Sequence, residues 1–373
     1  MKLRTMLLAV CTVVAALAAG AAAADKAPVR GPKIQVALLL DDSGSMGGLI
    51  NQAKAQLWKF VNELAASKKG GRPPAIEVAL QLHGGPVRPV IALTDDLDLL
   101  SEKLFAVTIQ GSGHEPCGEA IKAAVEGLKW SDSPEDLKVI FLAGNEEFTQ
   151  GSVNYKDACK MAVAKGILVN TIHCGGGIPD DWRDGALLAE GIPMNIDQAK
   201  ALPYIEAPQD KEIVRLGEEL NHTYIPFGAS GAAGFRRQQE QNGNAARASA
   251  ETNVQRFVAQ SQAQYRNGAW DLVDALKDGT AKVEDLKAED LPENMKKMTA
   301  EERKAFVEAN RKRRDELQGQ IQQLNGDRAK YVAEKQKELA GGDESLDSAM
   351  IKTLRTQAAK RQFEFAAVPS APK

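Results

Sequence analysis

The sequence lacks several features that would narrow its function at once. Lys and Arg number 47 against 50 Asp and Glu, for a net charge of −3, and neither half of the chain is basic enough to indicate nucleic-acid binding. It has no glycine-rich phosphate loop, no Ser–His–Asp pattern and no internal repeat. Cysteine is scarce: the three that follow residue 24, Cys117, Cys159 and Cys174, can form at most one disulfide.

The first 24 residues have the composition of a secretory signal. Lys2 and Arg4 form a basic start, an apolar segment runs from Met6 to Leu17, and small residues stand at 22–24. We expect cleavage near Ala24, export to the periplasm or cell surface, and no integral membrane segment afterwards. The alternative is an uncleaved anchor, although the apolar run is short for a membrane span.

The most informative segment is a buried strand that runs into a polar loop. Residues 34–40 are apolar except for Gln35, as expected of a strand covered on both faces. Asp41, Ser43 and Ser45 follow directly, and an amphipathic helix begins near Leu49. Ligands of open α/β sheets bind at such carboxyl ends of strands, and oxygen donors of this kind suit hard divalent cations.

Strands and helices alternate from residue 33 to residue 228, which predicts an α/β domain with a doubly wound, mostly parallel sheet flanked by helices. Segments 76–82 and 87–93 are expected to form an antiparallel hairpin at its edge. The composition from 229 to 249 is that of a linker, and 250–365 predicts an α-helical, coiled-coil-like extension with a long helix that begins with the capping box at Thr299. Residues 366–373 are expected to be a disordered tail.

The loop at Asp41 carries a family resemblance. The pattern Asp41-x-Ser43-x-Ser45, after a buried strand and before Met46 and a helix, resembles the first motif of the von Willebrand factor type A (VWA) domain. Residues 144–151, which follow the apolar segment 139–142, resemble a later motif of the same fold. The likeness is to exported bacterial proteins with a helical C-terminal extension. It implies a metal-ion-dependent adhesion site that holds Mg²⁺, and a protein or peptide partner whose carboxylate completes the metal's coordination.

When aligned with the family it resembles, the sequence departs from the family pattern at two positions. Glu115 stands where the family has Thr, and Asn145 stands where it has Asp. The predicted variant metal site therefore consists of Asp41, Ser43, Ser45, Glu115 and Asn145, with Mg²⁺ expected first and Mn²⁺ or Ca²⁺ as alternatives. Glu115 either keeps the charge needed for a cation or occupies the position that a partner's acid would take. Without a metal, the same residues would form a hydrogen-bonded polar loop.

Other groups of residues leave alternatives open. His114, Cys117, His173 and Cys174 are expected near one sheet edge, where they could ligate zinc, or Cys117 and Cys174 could form a disulfide. The basic run 311–314 is expected to be a solvated helix face rather than a polyanion site. Asp42 adds a carboxylate whose side chain is expected to point away from the ion.

The pattern favours a non-enzymatic binding protein that recruits a protein or peptide at the top of its sheet. A first alternative is a structural or assembly component of the cell envelope, which would act through its C-terminal helices, would keep a vestigial metal site and could form oligomers. A second alternative is an enzyme that uses Glu115 or Cys117. The sequence does not identify the partner, the metal or the oligomeric state.

Overall fold

The structure is a computed structural model that describes residues 31–110, 113–197, 204–338 and 346–365. The predicted signal segment 1–24 and tail 366–373 lie outside these residues. Gly31 to Lys373 form one compact unit, so the extension packs onto the α/β domain. In the described residues, no helix is both long and apolar enough to span a bilayer.

Six strands form a mixed sheet in the order β4-β3-β1-β5-β6-β7, in which β4 alone is antiparallel to its neighbour. A separate antiparallel pair joins β2 to β8. The strands are β1 (Lys33–Leu40), β2 (Ser67–Lys68), β3 (Ala75–Leu82), β4 (Arg88–Thr94), β5 (Leu137–Gly144), β6 (Leu168–His173), β7 (Pro193–Asn195) and β8 (Glu364–Phe365). The predicted α/β class and the edge hairpin of β3 and β4 are confirmed.

Helices cover both faces of the sheet and continue through the extension. They are α1 (Gly47–Ala65), α2 (Leu97–Phe105), α3 (Cys117–Gly127), α4 (Tyr155–Ala164), α5 (Asp180–Leu188), α6 (Asp210–Asn221), α7 (Gly231–Ala248), α8 (Ala250–Gln260), α9 (Leu272–Lys277), α10 (Ala300–Glu338) and α11 (Leu346–Lys360). Two apolar cores result, one beneath α1 and α2 and the other beneath α3, α4 and α5. Apolar residues such as Val36 and Leu39 alternate between them along β1, because successive side chains of a strand point to opposite faces.

The predicted linker at 229–249 is wrong, because α7 occupies Gly231–Ala248. Its buried face consists of small and amide side chains rather than large apolar ones. A Cβ at Gly234 would stand 2.3 Å from the Trp270 ring, so glycine lets the helix approach closely. Gln238 donates to the Tyr265 hydroxyl at 3.2 Å, and Gln241 accepts from a buried serine hydroxyl at 2.8 Å. A helix buried through hydrogen bonds lacks the apolar periodicity on which the linker prediction relied.

The long helix is present as predicted, but it does not form a coiled coil with any of the described residues. It packs on the shorter helices α6, α8 and α9 through a few buried positions, among them Leu317 and Ile321. Its capping box is formed: the Thr299 N–H donates to Glu302 at 2.8 Å, and the Glu302 N–H donates to the Thr299 hydroxyl at 3.2 Å. The extension is therefore a helical layer of the same unit rather than a detached stalk.

Candidate metal centre

The candidate site forms where two adjacent parallel strands end. β1 ends at Leu40 and β5 at Gly144, and the two are paired in register. The Asp41 N–H extends this ladder by donating to the Ala143 carbonyl at 3.0 Å. Asp41 and Asn145 consequently leave the sheet side by side, as the carboxyl ends of neighbouring parallel strands must.

The first loop folds onto its own aspartate. Asp41 Oδ1 accepts a hydrogen bond from the Ser43 N–H at 2.7 Å, and its Oδ2 accepts one from the Ser43 hydroxyl at 3.1 Å. Ser43 Oγ and Ser45 Oγ lie 3.3 Å apart. This turn follows from short polar side chains that bond to the backbone two residues away. Three oxygen-bearing side chains thus face one small volume.

Glu115 reaches into the same volume from the second loop. Its Oε1 accepts from the Ser43 hydroxyl at 3.1 Å, and its Oε2 accepts from the backbone N–H of Glu146 at 3.3 Å. Asn145 Oδ1 accepts from the Ser45 hydroxyl at 3.2 Å. The structure therefore brings together all five residues of the predicted site, while their role as metal ligands stays a prediction.

Two other residues that support the site were not found from the sequence. Gln150 Oε1 accepts from the Glu115 N–H at 2.7 Å, which holds the second loop in place. A Cβ at Gly84 would stand 2.3 Å from the Ser43 nitrogen and 2.7 Å from Asp41 Oδ1, so only glycine fits behind the first loop. The Gly84-Gly85 pair was a turn signal in the sequence, but nothing there placed it beside Asp41.

Two acidic side chains are crowded together in the site. Asp41 and Glu115 are both fully buried, and in the described residues neither forms an ion pair with a lysine or arginine. Burial, followed by contact with Glu115, raises the pKa of Asp41 to about 8. Asp42 takes no part, because it pairs with Arg88 and accepts from the Gly84 N–H at 3.1 Å.

This donor set fits a divalent cation. Two carboxylates would supply charge, and two hydroxyls and one amide would supply neutral oxygens, which are the donors that Mg²⁺ and Ca²⁺ prefer. Ser45 is exposed and Asn145 half-buried, whereas both carboxylates lie below them. An ion held here would be reached from the Ser45 side.

The zinc alternative and the disulfide are both wrong for the described residues. No three His, Cys, Asp or Glu side chains gather there as metal ligands, and Cys117, Cys159 and Cys174 are free, buried thiols. His173 Nδ1 is engaged with the Gly177 carbonyl at 2.6 Å. The residues come from the expected sheet edge, but Cys117 and Cys174 enter different apolar cores and His114 is exposed.

Strand order and flanking helices define an α/β domain with an oxygen-lined loop at the carboxyl edge of its sheet. Residues 35–185 match the family model of the von Willebrand factor type A domain, and this region has the VWA fold, a protein-interaction fold. The chain has no match among curated proteins.

Several solved structures are similar to part of this chain. Proximal thread matrix protein 1 of the mussel byssus, in a form with zinc in its adhesion-site motif, is 15% identical with a TM-score of 0.36, and the match covers 46% of this chain and 43% of that one. BatB from Bacteroides thetaiotaomicron is 19% identical over 45% of this chain and 91% of its own, with a TM-score of 0.34. An aerotolerance-related membrane protein from Bacteroides fragilis is 17% identical over 45% and 92%, with a TM-score of 0.32. This chain thus spans less than half of the mussel protein, and these likenesses carry no inference about ligand or partner.

Proposed function

We propose that this is an exported, non-enzymatic binding protein whose VWA domain recruits a protein or peptide through a divalent cation, with Mg²⁺ the first candidate. The observation that carries the proposal is the convergence of Asp41, Ser43, Ser45, Glu115 and Asn145 at one sheet edge. Two buried carboxylates without a protein counter-ion are costly, and a bound cation would offset that cost.

The shape of the site favours recruitment over a closed structural metal. The carboxylates are below, and Ser45 and Asn145 are on the accessible side. Five protein oxygens around an ion that prefers six would leave one position for an acidic group of the partner. Glu115 is held by the Ser43 hydroxyl and by backbone N–H groups, so it would act as a resident ligand and leave the upper position open.

The enzyme alternative has little support in the geometry. Burial raises the pKa of the Cys117 thiol well above its ordinary value, with the charges of Glu115 and Asp41 adding to the effect. A thiol kept protonated in this way is a poor nucleophile. Export rests on the composition of residues 1–24.

The assembly alternative would place the active surface on the C-terminal helices. The basic run 311–314 does not supply that surface, because Arg311 pairs with Glu308, Arg313 pairs with Glu219 and Arg314 is buried. Deleting the extension would not separate the two functions, since α8 packs on α1 and its removal would uncover Trp58 of the VWA core.

Equilibrium dialysis of the full chain against Mg²⁺, Mn²⁺ and Ca²⁺ tests the metal claim. We expect saturable binding of one ion, lost in Ser43→Ala and kept in Ser230→Ala, a matched change at an exposed serine that makes no helix-capping hydrogen bond. Absence of binding at millimolar ion would overturn the metal site.

Capture of partners from a cell-envelope extract, with and without chelator, tests the recruitment claim. We expect capture that chelator and Ser43→Ala both abolish. Capture that survives both changes, and is lost instead when exposed residues of α10 are substituted, would favour the assembly alternative.

A further inference from the structure

A polar cavity lies at the edge of the sheet opposite to the candidate metal centre. It encloses about 540 Å³ at the amino ends of β5 and β6. Its walls come from the loop 128–134 before β5, the loop 164–166 before β6, and Arg361 just after α11. The C-terminal helix therefore closes a cavity that the VWA domain alone would leave open on that side.

The cavity is lined by cations. Of the described lining residues, Lys129, Lys138, Lys165 and Arg361 are positive and Asp132 alone is negative. None of the four cations forms an ion pair with another described residue. The cavity thus gathers basic groups without ion-pair partners, whereas the metal centre gathers acidic ones.

Lys138, Lys165 and Arg361 are held by carbonyl groups, which position them without neutralising them. The Lys138 ammonium, on a residue 7% exposed, donates to the carbonyls of Ser131 at 2.9 Å and Lys165 at 2.5 Å. Arg361 donates through one nitrogen to the Pro134 carbonyl at 3.1 Å. Most of the guanidinium N–H groups and one of the three ammonium N–H groups remain for a ligand.

Electrostatics agree with this geometry. Burial lowers the pKa of Lys138 and the positive charge of Arg361 lowers it further, while the charges of Asp132 and Asp136 raise it by smaller amounts. An anion placed between them would relieve both effects, because it would compensate the buried ammonium and separate two like charges.

We propose that this cavity binds the phosphate group of a small anionic ligand. Arg361 would contact the phosphate through its planar fork of donors, and Lys138 and Lys165 would contribute point charges. The volume is within the range of small-molecule sites and exceeds the need of a phosphate ion, which leaves room for an organic group beside the phosphate. Trp130, fixed by its Nε1 donating to the Ala124 carbonyl at 2.9 Å, and Asp132 line the remaining space for its organic part.

Isothermal titration calorimetry of the full chain with AMP, glycerol 3-phosphate and inorganic phosphate tests the proposal. Loss of one charge-assisted hydrogen bond predicts that Arg361→Gln weakens binding about tenfold, and Lys129→Gln by a smaller factor. Lys160→Gln removes the same charge from an exposed surface outside the cavity and should leave affinity unchanged. Affinity should also fall as NaCl is added.

The three probes separate the possible sources of the phosphate. Tighter binding of AMP than of the other two assigns a nucleotide-like ester, and tighter binding of glycerol 3-phosphate assigns a lipid headgroup. Equal binding of all three assigns the phosphate group alone. Each of these three results supports an anion site if Arg361→Gln weakens the binding. No saturable binding of any probe, or equal binding by wild type and Arg361→Gln, overturns the proposal. Lys138→Met serves as a second variant if its thermal unfolding remains cooperative.

Discussion

The VWA region and the helical extension share apolar packing but differ in the charged contacts that are buried in them. Two apolar clusters cover the faces of the mixed sheet, and the first of them continues into the extension through residues such as Phe257, Leu317 and Leu354. The extension is fastened through buried arginines: Arg256 pairs with Asp98 at 2.7 Å, Arg314 with Asp271 at 2.6 Å, and Arg328 with Asp210 at 2.7 Å.

Aromatic rings accompany two of these arginines. Arg256 lies 4.4 Å from the Trp58 ring centroid, and Arg314 lies 4.1 Å from that of Tyr224. Buried ion pairs contribute little net stability compared with apolar replacements, but they are costly to break, since the remaining charge is left without a partner. The comparison indicates that apolar packing, which runs through both regions, provides most of the folding free energy, while the buried arginines fix how α8 and α10 dock.

Breaking one arginine contact should give the largest effect. Arg314→Met leaves Asp271 buried and unpaired, and we expect a loss of about 3–5 kcal/mol in the free energy of unfolding. Arg313→Ala, at the adjacent residue, removes only exposed pairs and should cost at most about 1 kcal/mol. Urea denaturation of both variants measures the difference. Equal losses would show that burial of Arg314 does not matter.

The VWA region buries the carboxyl group of Asp41, and its stability should therefore depend on pH. In chelator, the Asp41 pKa near 8 lies above its unfolded value of 3.8. The folded state therefore holds a proton that the unfolded state releases, and stability falls as pH rises through this window. We expect a loss of about 3–4 kcal/mol between pH 5 and pH 8.

Two variants and one addition sharpen this prediction. Asp41→Asn should flatten the pH profile, whereas Asp315→Asn, at an exposed ion pair, should leave it unchanged. Addition of Mg²⁺ at pH 8 should restore stability to the wild type. Thermal unfolding measured across the pH series is the readout, and a flat profile for the wild type would contradict the assignment.

A methyl group added where α6 packs on α8 should have a smaller effect on the free energy of unfolding. A Cβ at Gly217 of α6 would stand 2.2 Å from the Phe257 ring of α8, so Gly217→Ala should cost about 1–3 kcal/mol. Gly319→Ala, in open space on α10, should instead stabilise by up to about 1 kcal/mol, because glycine is a poor helix former. Thermal unfolding of the two variants should therefore shift in opposite directions.

The capping box of α10 should give the smallest effect. Thr299→Ala removes one of its two reciprocal hydrogen bonds and should lower the free energy of unfolding by about 1 kcal/mol. Urea denaturation measures it, with Thr299→Ser as the control that keeps the hydroxyl. A loss as large as that of Arg314→Met would mean that the end of the helix carries more of the docking than the buried arginine.

The sheet could be predicted because its strands are apolar runs, and the site could be predicted because parallel strands end at one edge. Asp41 and Asn145 are far apart in the sequence but follow adjacent strands β1 and β5. Support from Gln150 and the close fit of Gly84 could not be predicted, since both depend on how loops pack against each other.

The helix α7 was harder to predict, because its buried face is polar. The buried glutamines of α7 find partners elsewhere in the chain, and no local pattern identifies those partners. Arg314 did leave a signal: it lies three and seven residues before the buried Leu317 and Ile321, on the same helix face. A basic run at those spacings is worth examining for a buried member.

The pairing of β2 with β8 has a consequence for how the chain folds. Ser67 pairs with Phe365, so a hydrogen-bonded ladder joins two points almost 300 residues apart in the chain. Contacts of such long sequence separation slow folding, because a large loop must close before they form. A polypeptide that ends before Glu364 would lack this ladder and would hold α11 by its packing on α1 and by contacts such as that of Gln357 with Asn170, and the cationic cavity that Arg361 completes would be among the last features to form.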